Sequence, residues 1–213
     1  PDVSWSGLSA EVPVAVTKAG RRVRGRPLKP VLGQQPVAPW VLGSGLKKAF
    51  DIRKNDVDAK KIGDDIGVLL VIHPRNITEE TEYAIDQFIL RGGKMIAFLD
   101  SYAYFDQQPD LQNPFGGNNA GQSTFYHLLP KWGYGMEMGK VVADLTYASG
   151  EGPRILPTLL SLSGDALNKD DVVTSQVGTL LMPFASTFTG KPVAGLTQTV
   201  LVQSSPNAML ADL

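Results

Sequence analysis

The run Val68-Leu69-Leu70-Val71-Ile72 constrains the fold more than any other stretch of the chain. It is apolar at every position, so a strand built from it has no face to give to water and must be covered on both sides, as the central strands of parallel sheets are. The residues that follow supply the connection that parallel pairing needs. Thr78 is placed to cap a helix, Glu79 and Glu80 fall in its positive first turn, and Ala84, Ile85, Phe88 and Ile89 form one apolar stripe. Gly92-Gly93 ends that helix, because glycine enters the left-handed cap conformation freely. Lys94 to Asp100 then reads as a second strand. Strand, helix and strand in this order predict a parallel crossover unit.

The flanks carry weaker signals. Residues 40–50 read as a glycine-interrupted helix and residues 50–53 as a short strand. Further upstream, Val12 to Val16 predicts an edge strand, where Pro13 is tolerable, and residues 1–29 are read as a peripheral segment beside a single α/β domain over residues 30–213. After Asp100 the composition turns to Tyr, Asp, Gln, Asn, Pro and Gly, which predicts a long loop over residues 101–122 of the kind that carries function or moves. A helix is expected to resume at a capping Ser123 and to run through Phe125, Leu128, Leu129 and Trp132 to Gly133. Strands are expected at residues 140–143, 155–162, 179–184 and 199–203.

At 213 residues, with 43% apolar and 19% charged residues, the chain has the makings of one sizeable core and the balance of an ordinary globular protein. It contains no cysteine, which excludes disulfides, thiolate nucleophiles and cysteine-bound zinc together. A net charge of −1 argues against a surface built for nucleic acid. The basic stretch Lys18 to Lys29 lacks interleaved aromatics, so it reads as exposed charge and not as a stacking platform. No run of about 18 apolar residues offers a membrane span. The start at Pro1-Asp2-Val3, without a Met or a signal segment, fits a piece of a longer protein, with room for flanking anchors outside this chain.

The sequence carries few familiar chemical signatures. Gly43-Ser44-Gly45 and Gly133-Tyr134-Gly135 lack the third glycine of a dinucleotide loop, and no Gly-x-Ser-x-Gly elbow exists. His73 and His127 are the only histidines, too few for a histidine-based zinc centre, and the spacing of Asp100, Asp106 and Asp110 is not that of a calcium loop. No cofactor and no metal are expected. What remains is the carboxyl edge of the two predicted strands, where open α/β sheets bind ligands: His73 and Arg75 after the first, Asp100 and Tyr102 after the second. An imidazole oriented by a carboxylate suits general-base work. With no visible nucleophile or metal, the plainer reading carries more weight: His73 bonds loop backbone, Pro74 stops the strand, and Arg75 is solvated.

Leu69-Leu70-Val71-Ile72-His73-Pro74-Arg75-Asn76, then Tyr83 to Lys94 and the closing Phe98-Leu99-Asp100, resembles the gliding-motility-associated ABC-transporter auxiliary family. The likeness extends through Leu128 to Gly133, through Val141-Val142-Ala143-Asp144 and to Thr199–Ser205, and so covers about residues 30–213. It implies a Rossmann-like or flavodoxin-like α/β domain with a mostly parallel sheet, similar to class I glutamine amidotransferases. It also implies an extracytoplasmic, periplasmic location at the cell membrane, with the membrane and ATPase subunits of an ABC transporter as partners. The amidotransferase cysteine is missing, so that activity does not carry over. The expectation is therefore a non-enzymatic domain that binds a partner or ligand through His73, Arg75, Asp100 and Tyr102. Its rivals are a hydrolase using Ser101 beside His73, and a glycan-binding module using Trp5, Trp40 and Trp132.

Overall fold

The structure, a computed structural model, describes residues 14–17, 41–55, 58–75, 77–103 and 122–212. The chain divides into two compact units, Pro1–Phe98 and Leu99–Leu213.

The first unit holds β1 (Val14–Thr17), α1 (Val41–Ala49), β2 (Ile52–Lys54), β3 (Ile66–Ile72), α2 (Glu79–Leu90) and β4 (Lys94–Phe98). One sheet runs in the order β2-β1-β3-β4. The predicted crossover is present: β3 and β4 are parallel, in a register from Val68 against Lys94 to Ile72 against Phe98. Leu69 and Val71 of β3 are fully buried, as an all-apolar central strand must be, and α2 buries Ala84, Ile85 and Phe88. Thr78 caps α2 as its sequence suggests, its hydroxyl accepting the Thr81 N–H at 3.2 Å. Thr78→Ala is expected to lower stability by about 1 kcal/mol, read as a shifted urea midpoint with an unchanged slope. At the other end Gly92 takes φ 86°. Gly93 is needed for space, since a Cβ there would lie 2.5 Å from the Phe88 ring. Arg91 ties this end down, donating to the Ile62 carbonyl at 2.9 Å while its guanidinium lies 5.9 Å from the Phe88 ring centre.

Two expectations change here. The strand expected near Val12 to Val16 was placed at a sheet edge, yet β1 is hydrogen-bonded on both sides, Val14 pairing with Lys54 and with Leu70. Pro13 does no damage because the ladder starts one residue after it. The sheet was also expected to be mostly parallel, and β3–β4 is its one parallel pair; every other strand pairing among the described residues is antiparallel. Parallel neighbours need a crossover of a dozen or more residues, usually helical. Among the described residues α2 alone links two neighbouring strands in that way. The basic stretch Lys18–Lys29 lies outside the described residues.

The second unit is built from short antiparallel pieces: β5 (Tyr134–Met136) with β10 (Phe188–Gly190), β6 (Lys140–Ala143) with β11 (Met209–Asp212), and a sheet of β7 (Ala148–Ser149), β8 (Leu156–Ser163) and β9 (Thr179–Pro183). The inward face of β8 and β9 sets Leu160 against Met182 and Leu162 against Leu180. Together with Val142, Ala166 and Ala185 these side chains make the core of this unit. The expected helix from Ser123 shrinks to one turn, α3 (Leu128–Lys131), because Ser123 is used elsewhere and Gly133, at φ 88°, ends the turn. Residues 199–203 form no strand, only a bridge from Val202 to Leu167.

Asp144, directly after β6, is buried among donors. Its carboxylate accepts the Ser205 N–H at 2.7 Å, the Ser205 hydroxyl at 2.9 Å and the Thr146 N–H at 2.9 Å. This fixes the approach of the chain to β11 against the corner that follows β6.

Candidate functional site

The four edge residues fall in different units: His73 and Arg75 in the first, Asp100 and Tyr102 in the second. The backbone N–H of His73 donates to the Phe98 carbonyl at 2.8 Å, so the parallel ladder runs one residue past β3. His73 sits at φ 43°, in the left-handed region where histidine is enriched over most side chains, and its Nε2 is closed off from solvent. Pro74 is fully buried behind it and Arg75 is half-buried. The strand therefore ends at a sharp, packed turn, as the sequence suggests.

Asp100 is the centre of a different construction. Its N–H donates to the Ser123 hydroxyl and its carbonyl accepts the Ser123 N–H, both at 2.8 Å. The two ends of the segment 101–122 are thus pinned together at its base. Beside this clasp the Ser101 hydroxyl, fully buried, donates to the Lys140 carbonyl at 2.5 Å and accepts from the Ser186 hydroxyl at 2.7 Å, while the Ser101 N–H donates to Ser186 Oγ at 2.8 Å. The Tyr102 ring meets Phe184 edge to face, with centroids 6.3 Å apart, and Phe184 itself stands at φ 53° to present that ring.

An apolar cavity of about 240 Å³ opens next to the clasp. Leu99, Ser123, Phe125, Tyr126, Met136 and Met138 are among the residues that line it. Methionine walls adapt to varied apolar shapes, which suits reception of a side chain or a small apolar group. Asp100 follows Leu99 of this wall in the chain, and its carboxyl is half-buried and met by no hydrogen-bond donor among the described residues. Burial raises its pKa above the ordinary 3.8. The folded state then holds this proton more tightly than the unfolded chain does. Stability falls as pH rises from the unfolded value through the folded one and is level above it. Asp100→Asn keeps both backbone bonds to Ser123, so it is expected to raise the melting temperature at pH 7, with the gain disappearing as pH falls below about 4.

Among the described residues no group of three or more His, Asp or Glu side chains is placed to hold a metal ion, and Asp106 and Asp110 lie outside them. No helix among them is long and apolar enough to cross a membrane. Trp5 and Trp40 also lie outside the described residues. Trp132 closes the single turn of α3.

A family model described as "ABC-type uncharacterized transport system" matches residues 13–213. The chain belongs to this ABC-type transport system family. The match begins one residue before β1, so residues 13–29 fall within the family's span. A protein of Borreliella burgdorferi, described as uncharacterized, is 26% identical over 149 residues, covering 66% of this chain and 28% of that protein. The chain thus spans well under a third of that relative's length. No solved structure matches. Within this transport-system chain, Ser186, Phe184, Met136 and Met138 are the site residues that sequence reasoning passed over. They come from separate strands and loops, and only the antiparallel pairing of β5 and the turn after β9 bring them near Asp100 and Tyr102. Their spacing in sequence carries no signal of this.

Proposed function

We propose that the chain is a non-enzymatic, extracytoplasmic auxiliary domain of an ABC transport system, holding a partner protein or ligand beside Asp100 and Tyr102. The observation that carries the reading is the clasp of Asp100 and Ser123, whose backbone bonds join Asp100, a half-buried carboxyl with no hydrogen-bond donor among the described residues, to Ser123 in the wall of an apolar cavity. A carboxyl whose pKa burial raises is a frequent mark of a functional position. The occupant that suits it offers a basic or hydrogen-bond-donating group beside an apolar one. His73 and Arg75, at the end of β3 in the first unit, are proposed as contact residues of that unit by itself. The transporter's membrane and ATPase subunits are the proposed partners, and the attachment to the membrane is assigned to segments outside this chain.

The non-enzymatic part of the reading draws support from Ser101. A nucleophilic serine passes its proton to a base. The Ser101 proton is instead committed to the Lys140 carbonyl, which is no base, inside a closed serine pair. The β3–α2–β4 unit is the feature that favours kinship with Rossmann-like domains, and the His73-Pro74-Arg75 turn with the helix after it favours the gliding-motility-associated branch of the family.

The full-length protein, co-expressed with the transporter subunits and captured on a tagged membrane subunit, tests this. Asp100→Ala and Met138→Asp are expected to cut capture at least tenfold while far-UV circular dichroism stays unchanged. Undiminished capture by both folded variants would remove the site assignment. Labelling of Ser101 by a serine-reactive fluorophosphonate would overturn the non-enzymatic reading.

A further inference from the structure

The apolar cavity that Ser123 helps to line ends on backbone that the fold leaves unused. Among the described residues β5 has a strand neighbour on one side only, β10, in a two-stranded sheet. The Lys191 N–H donates to the Gly133 carbonyl, so Gly133 and, two residues on, Gly135 turn their backbone groups toward the β10 side. Alternation along an antiparallel ladder then turns the N–H and C=O groups of Tyr134 and Met136 the other way. No described residue bonds to them there. A strand edge in this state is a template for another strand.

The cavity meets that edge. Gly135 and Met136 both line it. Gly135 has no side chain, so what it contributes to the wall is main chain, and the cavity therefore reaches the backbone of β5 itself. Leu99, Phe125, Leu129 and Met138 supply apolar wall. Volume narrows the occupant. At about 240 Å³ the space is smaller than the roughly 300–1,000 Å³ of pockets that enclose a whole small-molecule ligand, and it suits one large side chain. A free apolar molecule would fill the cavity and leave the Tyr134 and Met136 backbone groups without partners. An extended peptide answers both features at once. Open main-chain groups beside a side-chain socket are the two parts of recognition by strand addition, the first giving affinity and the second specificity. Because β5 is only three residues long, its edge offers few bonds, and the socket has to carry the selection.

Deepening the partner reading above, and resting on it, we propose that an extended peptide segment of the partner protein adds to β5 as a third strand and seats one large apolar side chain in this cavity. Its backbone bonds to the outward N–H and C=O groups of Tyr134 and Met136. The thioethers of Met136 and Met138 adapt to the inserted side chain, so leucine, methionine and phenylalanine are all accepted and alanine is not.

The test titrates the full-length protein into fluorescein-labelled, end-blocked heptapeptides of alternating threonine and valine, with alanine, leucine, phenylalanine or tryptophan at the centre, followed by fluorescence anisotropy. Leucine and phenylalanine peptides are expected to bind at least tenfold more tightly than the alanine peptide. A strand uses one of its edges to pair, so N-methylation of one alternate set of peptide amides is expected to abolish binding, and of the other set to leave it intact. Met138→Ala, which enlarges the socket, is expected to move the preference toward tryptophan without any change in the peptide's backbone requirement. Equal affinity for all central residues, or indifference to both N-methylated sets, would overturn the proposal. So would binding of octyl glucoside that Met138→Trp abolishes, with no response to any peptide, which would assign the cavity to a small apolar ligand. Absence of peptide binding while transporter capture still depends on Asp100 would end this inference alone. Loss of that dependence as well would remove the site reading on which it rests.

Discussion

Gly133→Ala is expected to cost on the order of 3–5 kcal/mol, enough to unfold the β5–β10 pair at ambient temperature. Two independent penalties meet at this position. Gly133 has φ 88°, a conformation that strains any side chain, and an added Cβ would lie 2.0 Å from the Lys191 carbonyl oxygen. The neighbour cannot give way, because the Lys191 N–H donates to the Gly133 carbonyl at 3.0 Å and the Val193 N–H donates to the Trp132 carbonyl at 3.1 Å. Gly190 faces it from the other strand under the same constraint, at φ 95° with the Gly133 carbonyl 2.2 Å from an ideal Cβ. Thermal unfolding by circular dichroism checks this, and a loss under about 1 kcal/mol would contradict the backbone approach described.

Asp144→Asn is the second large effect, with a loss of about 3 kcal/mol at pH 7. The amide keeps the volume but turns donors toward donors. It can accept through one oxygen only, which leaves at least one of the Ser205 and Thr146 donors without its acceptor. The effect depends on pH in a way that identifies its origin. Burial is the largest influence on the carboxyl and pushes its pKa up, but the hydrogen bonds from Ser205 and Thr146 together outweigh it and hold the value below 3.8. A depressed folded pKa contributes stability above the unfolded pKa and loses it as pH falls through the folded one. The wild-type advantage over the asparagine variant should therefore narrow below about pH 4. Urea titrations at pH 7 and pH 3 give the comparison, and equal losses at both would assign the effect to shape instead of charge.

These two positions also illustrate what a sequence exposes and what it hides. The β3–α2–β4 unit was legible because each of its signals is local: an all-apolar run, a Thr78 cap, a stripe at helical spacing, a Gly92-Gly93 stop. The second unit was less so. Its strands are short, β5 and β10 are three residues each, and pairs such as Gly133 with Gly190 are set by chain segments more than fifty residues apart. Ser123 shows the failure most clearly. Its position before an apolar stretch reads as a helix cap, but its hydroxyl and its N–H both serve Asp100. A side chain that closes a loop and one that caps a helix look alike until the partner is known. Asp100 itself was found from its place after a strand. The cavity beside it was not, because no spacing rule joins Leu99 to Met136.

The placement of β1 bears on how this region must be handled and on how it came to hold together. Trimming the chain at residue 30 would take out the strand that separates β2 from β3. The row of N–H and C=O groups on one side of β3, the most apolar strand in the unit, would then be open to any passing strand, and such an edge invites intermolecular pairing. The first residues of the sheet are therefore its seal. Soluble fragments will need to begin ahead of Val14, and aggregation of shorter ones would report the loss of that seal, not a defect in the α/β unit it protects.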